Sequence, residues 1–295
     1  MQVVAVFLCL LVTLSHVKAE SETDLKDKVT VVTGAARGIG RAIADNLLKE
    51  GVSVVIIVDK NLTQGLVTKN ELKSTYGAEK VWFIHGNVIT DLDRVFKKIY
   101  KRYDYVHILV NNAGILDEDD PVGTYMTNTV APVLWSQKFY DVMRKDKGGR
   151  GGIILNMASV VSYLKDPFFW FYTSSKYGIL GLSVGLGHEW NYLTSEVKVL
   201  ALCPLFTYTD MTKQQMVVDE QVEIFAKFKE ALSWQTPDAV GEAAITICKT
   251  GETGTAYSIQ GGVLSVSPYG QDITLEFLLN LQQGDNHTVN AFDSK

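Results

Sequence analysis

The chain has 295 residues, a formal charge of −5, and 46% hydrophobic against 21% charged residues. That balance supports a sizeable buried core and excludes a highly charged disordered chain. The acidic balance, with no long basic run, argues against a nucleic-acid partner.

The first twenty residues, MQVVAVFLCLLVTLSHVKAE, carry an apolar run from Val3 to Leu14. The run is short for a stable membrane span, and Val17-Lys18-Ala19 places small or apolar residues before a cut. Residues 1–19 therefore read as a secretory signal peptide cleaved after Ala19, although the n-region has no Lys or Arg; an uncleaved anchoring helix is the other reading. Secretion, or residence in the secretory-pathway lumen, makes the sequons at Asn61 and Asn286 possible glycan sites. Cys9 leaves with the signal, and Cys203 and Cys248, both in apolar segments, read as buried free thiols.

Beyond the signal, β-branched runs alternate with amphipathic stretches. Strands are expected at 29–33, 53–59, 80–85, 106–112, 151–159 and 197–203, and helices at 41–51, 62–77 and 91–103. This alternation implies right-handed βαβ units and a parallel sheet covered on both faces, in one domain over 20–295. The segment from about Leu205 to Gln235 breaks the rhythm, and the tail from Asn280 reads as polar and loose.

The first strand ends in Thr33-Gly34-Ala35-Ala36-Arg37-Gly38-Ile39-Gly40. A glycine-rich turn between strand and helix lets backbone approach a pyrophosphate, although the Gly-x3-Gly-x-Gly spacing is not the commoner fingerprint. Asp59 closes the second strand, where a carboxylate accepts hydrogen bonds from an adenosine ribose and repels a 2′-phosphate; this favours NAD, with Lys60 and Arg37 as nearby cations. The plainer reading of Asp59 is a helix cap. Tyr172 and Lys176 stand one helical turn apart in FYTSSKYG, as a proton-transfer pair or an ordinary surface contact.

Thr-Gly-x3-Gly-x-Gly, then Asn111-Asn112-Ala113-Gly114, then Ser159 ahead of Tyr172-x3-Lys176 resembles the short-chain dehydrogenase/reductase family over roughly 25–265. GGRGGIILNMAS makes the chain most similar to its 15-hydroxyprostaglandin dehydrogenase-like and insect-type alcohol dehydrogenase groups. The resemblance implies a single-domain, Rossmann-type doubly wound α/β fold of about seven strands. It makes Tyr172 the general acid/base. Lys176 would lower the phenol pKa and bond the nicotinamide ribose, Ser159 would polarise the substrate oxygen, and Asn128 would anchor a relay water. The cofactor, NAD, would contact Gly34, Arg37, Gly38, Ile39, Gly40, Asp59, Asn87, Val88, Asn112, Ala113, Gly114, Tyr172, Lys176 and Pro204, with no metal.

The chain departs from the family at Asn87-Val88, where an aspartate is usual, and at Pro204-Leu205, where Pro-Gly is usual. Losing that glycine restricts the backbone beside the nicotinamide. PFFWFY before the lysine turn and LFTYTDMTKQQMVV after the sixth strand suggest an adaptable apolar pocket for a hydrophobic secondary alcohol or ketone. Gly178, Gly181, Gly185 and Gly187 on the tyrosine helix suggest close packing across a homodimer, or a homotetramer. The competing function is a secreted carrier or storage protein that binds an apolar ligand without turnover. If the signal is cut as expected, N-terminal sequencing of the chain recovered from secretory cells begins at Glu20.

Overall fold

The computed structural model describes residues 22–213, 217 and 221–267. Residues 1–19, read above as a signal, the Asn286 sequon and the segment from Asn280 lie outside the described residues. Seven strands run parallel: β1 (Val29–Thr33), β2 (Val54–Asp59), β3 (Val81–His85), β4 (Ile108–Asn111), β5 (Gly152–Met157), β6 (Val197–Pro204) and β7 (Ala256–Gln260). An eighth, β8 (Val263–Val266), pairs antiparallel with β7, and the order is β3-β2-β1-β4-β5-β6-β7-β8.

This eighth strand goes beyond the expected seven. Gly261 and Gly262 both have positive φ (+55° and +81°), as a two-residue hairpin turn requires, so the chain folds back instead of ending at β7. Val263-Leu264-Ser265-Val266 is too short to announce itself by alternation alone.

Helices cover both faces. They are α1 (Gly38–Lys49), α2 (Leu62–Tyr76), α3 (Leu92–Tyr100), α4 (Pro121–Tyr125), α5 (Ala131–Met143), α6 (Trp170–Leu186), α7 (Glu189–Ser195), α8 (Asp210–Lys213), α9 (Val222–Glu230) and α10 (Pro237–Thr250). Along β1, Val32 joins Ile43 and Leu47 of α1 and Val240 and Ile247 of α10. Its neighbour Val31 points to the other side, with Val95 of α3 and Trp135 and Phe139 of α5. Successive strand residues face opposite sides, so a strand buried on both is largely apolar, as VTVVT and VVIIVD are, with the Thr30 and Thr33 hydroxyls donating to the Val54 and Val110 carbonyls.

Helix α1 starts at Gly38, three residues before the expected boundary. The glycine turn itself forms its first turn, which apolar periodicity does not register. No helix among the described residues is long and apolar enough to cross a membrane. Cys203 and Cys248 are buried and free.

A buried polar network ties the sheet to α5 and α6. Asn111 and Asn156 are register partners on β4 and β5. Asn111 Nδ2 donates to Asn156 Oδ1 at 2.8 Å and to Ser136 Oγ of α5 at 3.0 Å. Asn156 Nδ2 donates in turn to Ser183 Oγ of α6 at 3.0 Å. Removing the central amide strands donors and acceptors on three elements. Asn156→Leu is therefore expected to destabilise the protein by about 2–4 kcal/mol, read from the urea unfolding midpoint.

Candidate active site

Strand order reverses between β1 and β4, and parallel sheets bind ligands outside their carboxyl ends at such a point. A cleft of about 820 Å³ lies there. Every residue named from sequence as a candidate lines it except Asn128, which stands behind its wall.

At one end lies the glycine turn. A Cβ on Gly34 would stand 2.7 Å from the Ala113 Cα, and one on Gly40 would clash with the Asn112 amide and the Gly34 carbonyl. Only glycine permits this approach of the turn to the end of β4. Helix α1 then opens with no side-chain cap from Arg37 and no acid in its first turn. Its N-terminal N–H groups and dipole form an anion site on the cleft wall. Asp59 accepts the Ala36 N–H at 3.0 Å and the Asn61 N–H at 2.8 Å. The cap of α2 is not Asp59 but Asn61, which accepts the Gln64 N–H, so Asp59 serves the cleft lip. An uncapped helix start, glycines that admit no Cβ and a carboxylate at the next strand end fit a dinucleotide.

Asn112 has a supporting role in this arrangement: its amide donates to the carbonyls of Thr33 (2.9 Å) and Gly34 (3.1 Å) and braces the turn from behind. Asn87 Oδ1 accepts the Ile89 N–H, leaving its NH2 for a ligand. Arg37 crosses the cleft mouth to Asp210 of α8 at 2.9 Å; both side chains are about half exposed, so the pair adds little stability.

At the other end, Ser159, Tyr172 and Lys176 converge. Lys176 is buried, its Nζ donating to the Met157 carbonyl at 2.7 Å and standing 5.5 Å from the Tyr172 ring centroid. Burial lowers the Lys176 pKa to about 8. Tyr172 lines the cleft, and desolvation pushes its phenol up to about 12, while the Ser159 hydroxyl beside it pulls the other way. In the protein alone, desolvation is the largest influence on both groups, raising the phenol and lowering the ammonium.

Asn128 lies in a π-helical segment, Met126–Val130, between α4 and α5. Its amide bridges both main-chain groups of Ile115 (2.9 and 2.8 Å) and donates to Ser175 Oγ of α6 at 3.1 Å. It thus joins the loop after β4 to the tyrosine helix. Leu205 has no left-handed backbone, and its N–H continues the sheet to the Ile259 carbonyl at 2.9 Å, so the missing glycine introduces no strain.

Sequence reasoning missed two pieces. Gln235 pins both ends of the 205–235 excursion, donating to the carbonyls of Ile259 (3.0 Å) and Leu205 (3.3 Å). Glu118 accepts the N–H groups of Phe171 (3.0 Å) and Tyr172 (2.9 Å). Neither carries a local signal, because each partner lies more than twenty residues away.

Residues 28–218 match the short chain dehydrogenase family. Human 15-hydroxyprostaglandin dehydrogenase (NAD(+)) is 34% identical over 205 residues, 69% of this chain and 76% of that one. Alcohol dehydrogenase 1 of Ceratitis cosyra is 29% identical over 174 residues, 58% of this chain and 67% of the other. The fold is shared with 3-ketoacyl-(acyl-carrier-protein) reductase from Brucella melitensis complexed with NADH, at a TM-score of 0.69 and 23% identity over 81% of this chain and 98% of that one. With these motifs meeting in one cleft, the chain belongs to the short chain dehydrogenase family.

Proposed function

We propose that the protein is an NAD-dependent oxidoreductase that interconverts a hydrophobic secondary alcohol and its ketone, with Tyr172 as the acid/base. The observation that carries this reading is the placing of Ser159, Tyr172 and Lys176 in the same cleft as an uncapped glycine turn and Asp59. Asp59 supports NAD, as do the NAD(+) in the name of the human relative and the NADH of the Brucella structure. The nicotinamide, when bound, exchanges a hydride with the substrate carbon.

The chain's own residues handle the proton and the geometry. Ser159 holds the substrate oxygen toward the Tyr172 hydroxyl. In oxidation Tyr172 takes the hydroxyl proton, and in reduction it returns one. Lys176, fixed by the Met157 carbonyl, holds a ribose hydroxyl and places positive charge near the phenol when protonated. Leu116, Val161, Leu164, Phe169, Phe206 and Met211 line the substrate end, which suits an apolar molecule. Phe206 stacks on Trp234 (5.2 Å), Trp234 on Tyr208 (4.9 Å), and Phe225 packs against Phe206, making an aromatic cover over that end.

The same reading includes pairing through α6 and a secretory location directed by residues 1–19. Gly178 is explained inside the chain, since a Cβ there would stand 2.8 Å from Thr129 Cγ2. Gly181 and Gly185 face open space, with exposed Leu134 and Tyr177 on the neighbouring helical surface. This supports a partner helix laid across them.

With NAD and a panel of apolar secondary alcohols, absorbance at the reduced-nicotinamide band is expected to grow, and more slowly with NADP. Silence with both cofactors in folded protein sinks the enzyme reading and favours the carrier. Tyr172→Phe is expected to cut kcat by about 10²–10⁴ while ligand binding survives. Oxidation needs the phenolate and burial raises the phenol pKa to about 12, so the wild-type oxidation rate should climb from neutral into alkaline pH, while the reduction rate, which needs the neutral phenol, should stay level over that range. Gly185→Trp should shift the elution volume on size exclusion from dimer to monomer; an unchanged dimer would place the interface elsewhere.

A further inference from the structure

We propose that Glu118 is a positioning residue for Tyr172, serving as the N-terminal cap that α6 lacks and clasping that helix to the loop after β4. The role rests on Tyr172 being the acid/base. Helix α6 begins in an aromatic run, and its N-cap residue, Phe169, makes no side-chain cap. Asp166 satisfies the preceding turn, taking the N–H groups of Phe168 (3.2 Å) and Phe169 (2.9 Å) and the Thr173 hydroxyl (3.0 Å). The first helical hydrogen bond runs from Thr173 N–H to the Phe169 carbonyl at 2.7 Å. That leaves the N–H groups of Phe171 and Tyr172 among the orphan donors of the helix start. Each meets one oxygen of the Glu118 carboxylate, from more than fifty residues upstream.

The loop that delivers Glu118 is itself held. Asn128 grips Ile115 on one side. On the other, Asp120 caps α4 through the Gly123 N–H at 2.9 Å, and the Asp117 carbonyl accepts the Thr124 hydroxyl at 2.7 Å. Among the described residues no cation forms a salt bridge with Glu118, so the positive end of α6 is its counter-charge. The division within α6 gives the proposal its signature. Tyr172 lies in the turn that frays when the cap is lost. Lys176 lies one turn deeper and is anchored separately by the Met157 carbonyl. Loss of Glu118 therefore misplaces the phenol and spares the lysine.

The test compares Glu118→Ala, Glu118→Gln and wild type. In Glu118→Ala the amides of Phe171 and Tyr172 should exchange hydrogen at least about ten-fold faster, with those of Lys176 to Leu180 unchanged. Under the same change kcat should fall by about ten-fold or more, while the Kd for NAD moves by less than about two-fold. Glu118→Gln keeps one acceptor oxygen and should restore most of both readouts. Unchanged exchange at Phe171 and Tyr172 overturns the clasp. A fall in kcat matched by weaker NAD binding and a lower Tm marks general destabilisation and overturns the positioning role. If wild type turns over no alcohol with either cofactor, it is the proposed function that has failed, and the exchange experiment alone decides the clasp.

Discussion

The junction between the ends of β1 and β4 governs the site. The Thr33 hydroxyl donates to the Val110 carbonyl (3.3 Å) and accepts the N–H groups of Asn112 (3.0 Å) and Ala113 (3.2 Å). The Asn112 amide returns two hydrogen bonds to the carbonyls of Thr33 and Gly34. Two strands far apart in sequence are thereby locked where the sheet changes direction, and the glycine turn is pressed against the end of β4 with no room for a side chain. From that point the loop after β4 runs to Ile115 and Glu118, which reach the tyrosine helix directly and through Asn128. The glycine-turn end and the tyrosine end of the cleft are therefore parts of one braced unit.

The electrostatics follow from enclosure. Burying a phenol and an ammonium side by side penalises the charged form of each, so Tyr172 rises while Lys176 falls. At neutral pH the phenol is thereby held neutral, while the lysine, its pKa lowered to about 8, still carries its charge. The positive charge of an oxidised nicotinamide is the complement that such a cleft calls for, since it favours the phenolate where water cannot.

Much of this was legible because its signals are local. The strands from Val29 to Pro204 announce themselves as continuous β-branched runs, since burial on both faces leaves no polar alternation to confuse them. The glycine turn, Asp59 and the Tyr172–Lys176 spacing are likewise short-range patterns. What stayed hidden was long-range or compact. The start of α1 hid inside the glycine turn, and β8 hid behind a two-residue hairpin. Asn112 was named from its motif as a cofactor contact, but its bracing of Thr33 and Gly34 was hidden, because they lie nearly eighty positions away. The desolvation of Tyr172 and Lys176 was hidden for the same reason: spacing reveals that a lysine is near, but not that both groups leave water.

The remote cap on α6 has a consequence for how the chain acquires its structure. A helix that carries its own capping residue can complete its first turn from local sequence alone. Here that turn waits for a carboxylate from the other side of two helices and a strand, so the contact carries the loop-closure entropy of more than fifty residues. The first turn of α6, and Tyr172 within it, is therefore completed by tertiary structure rather than by its own segment.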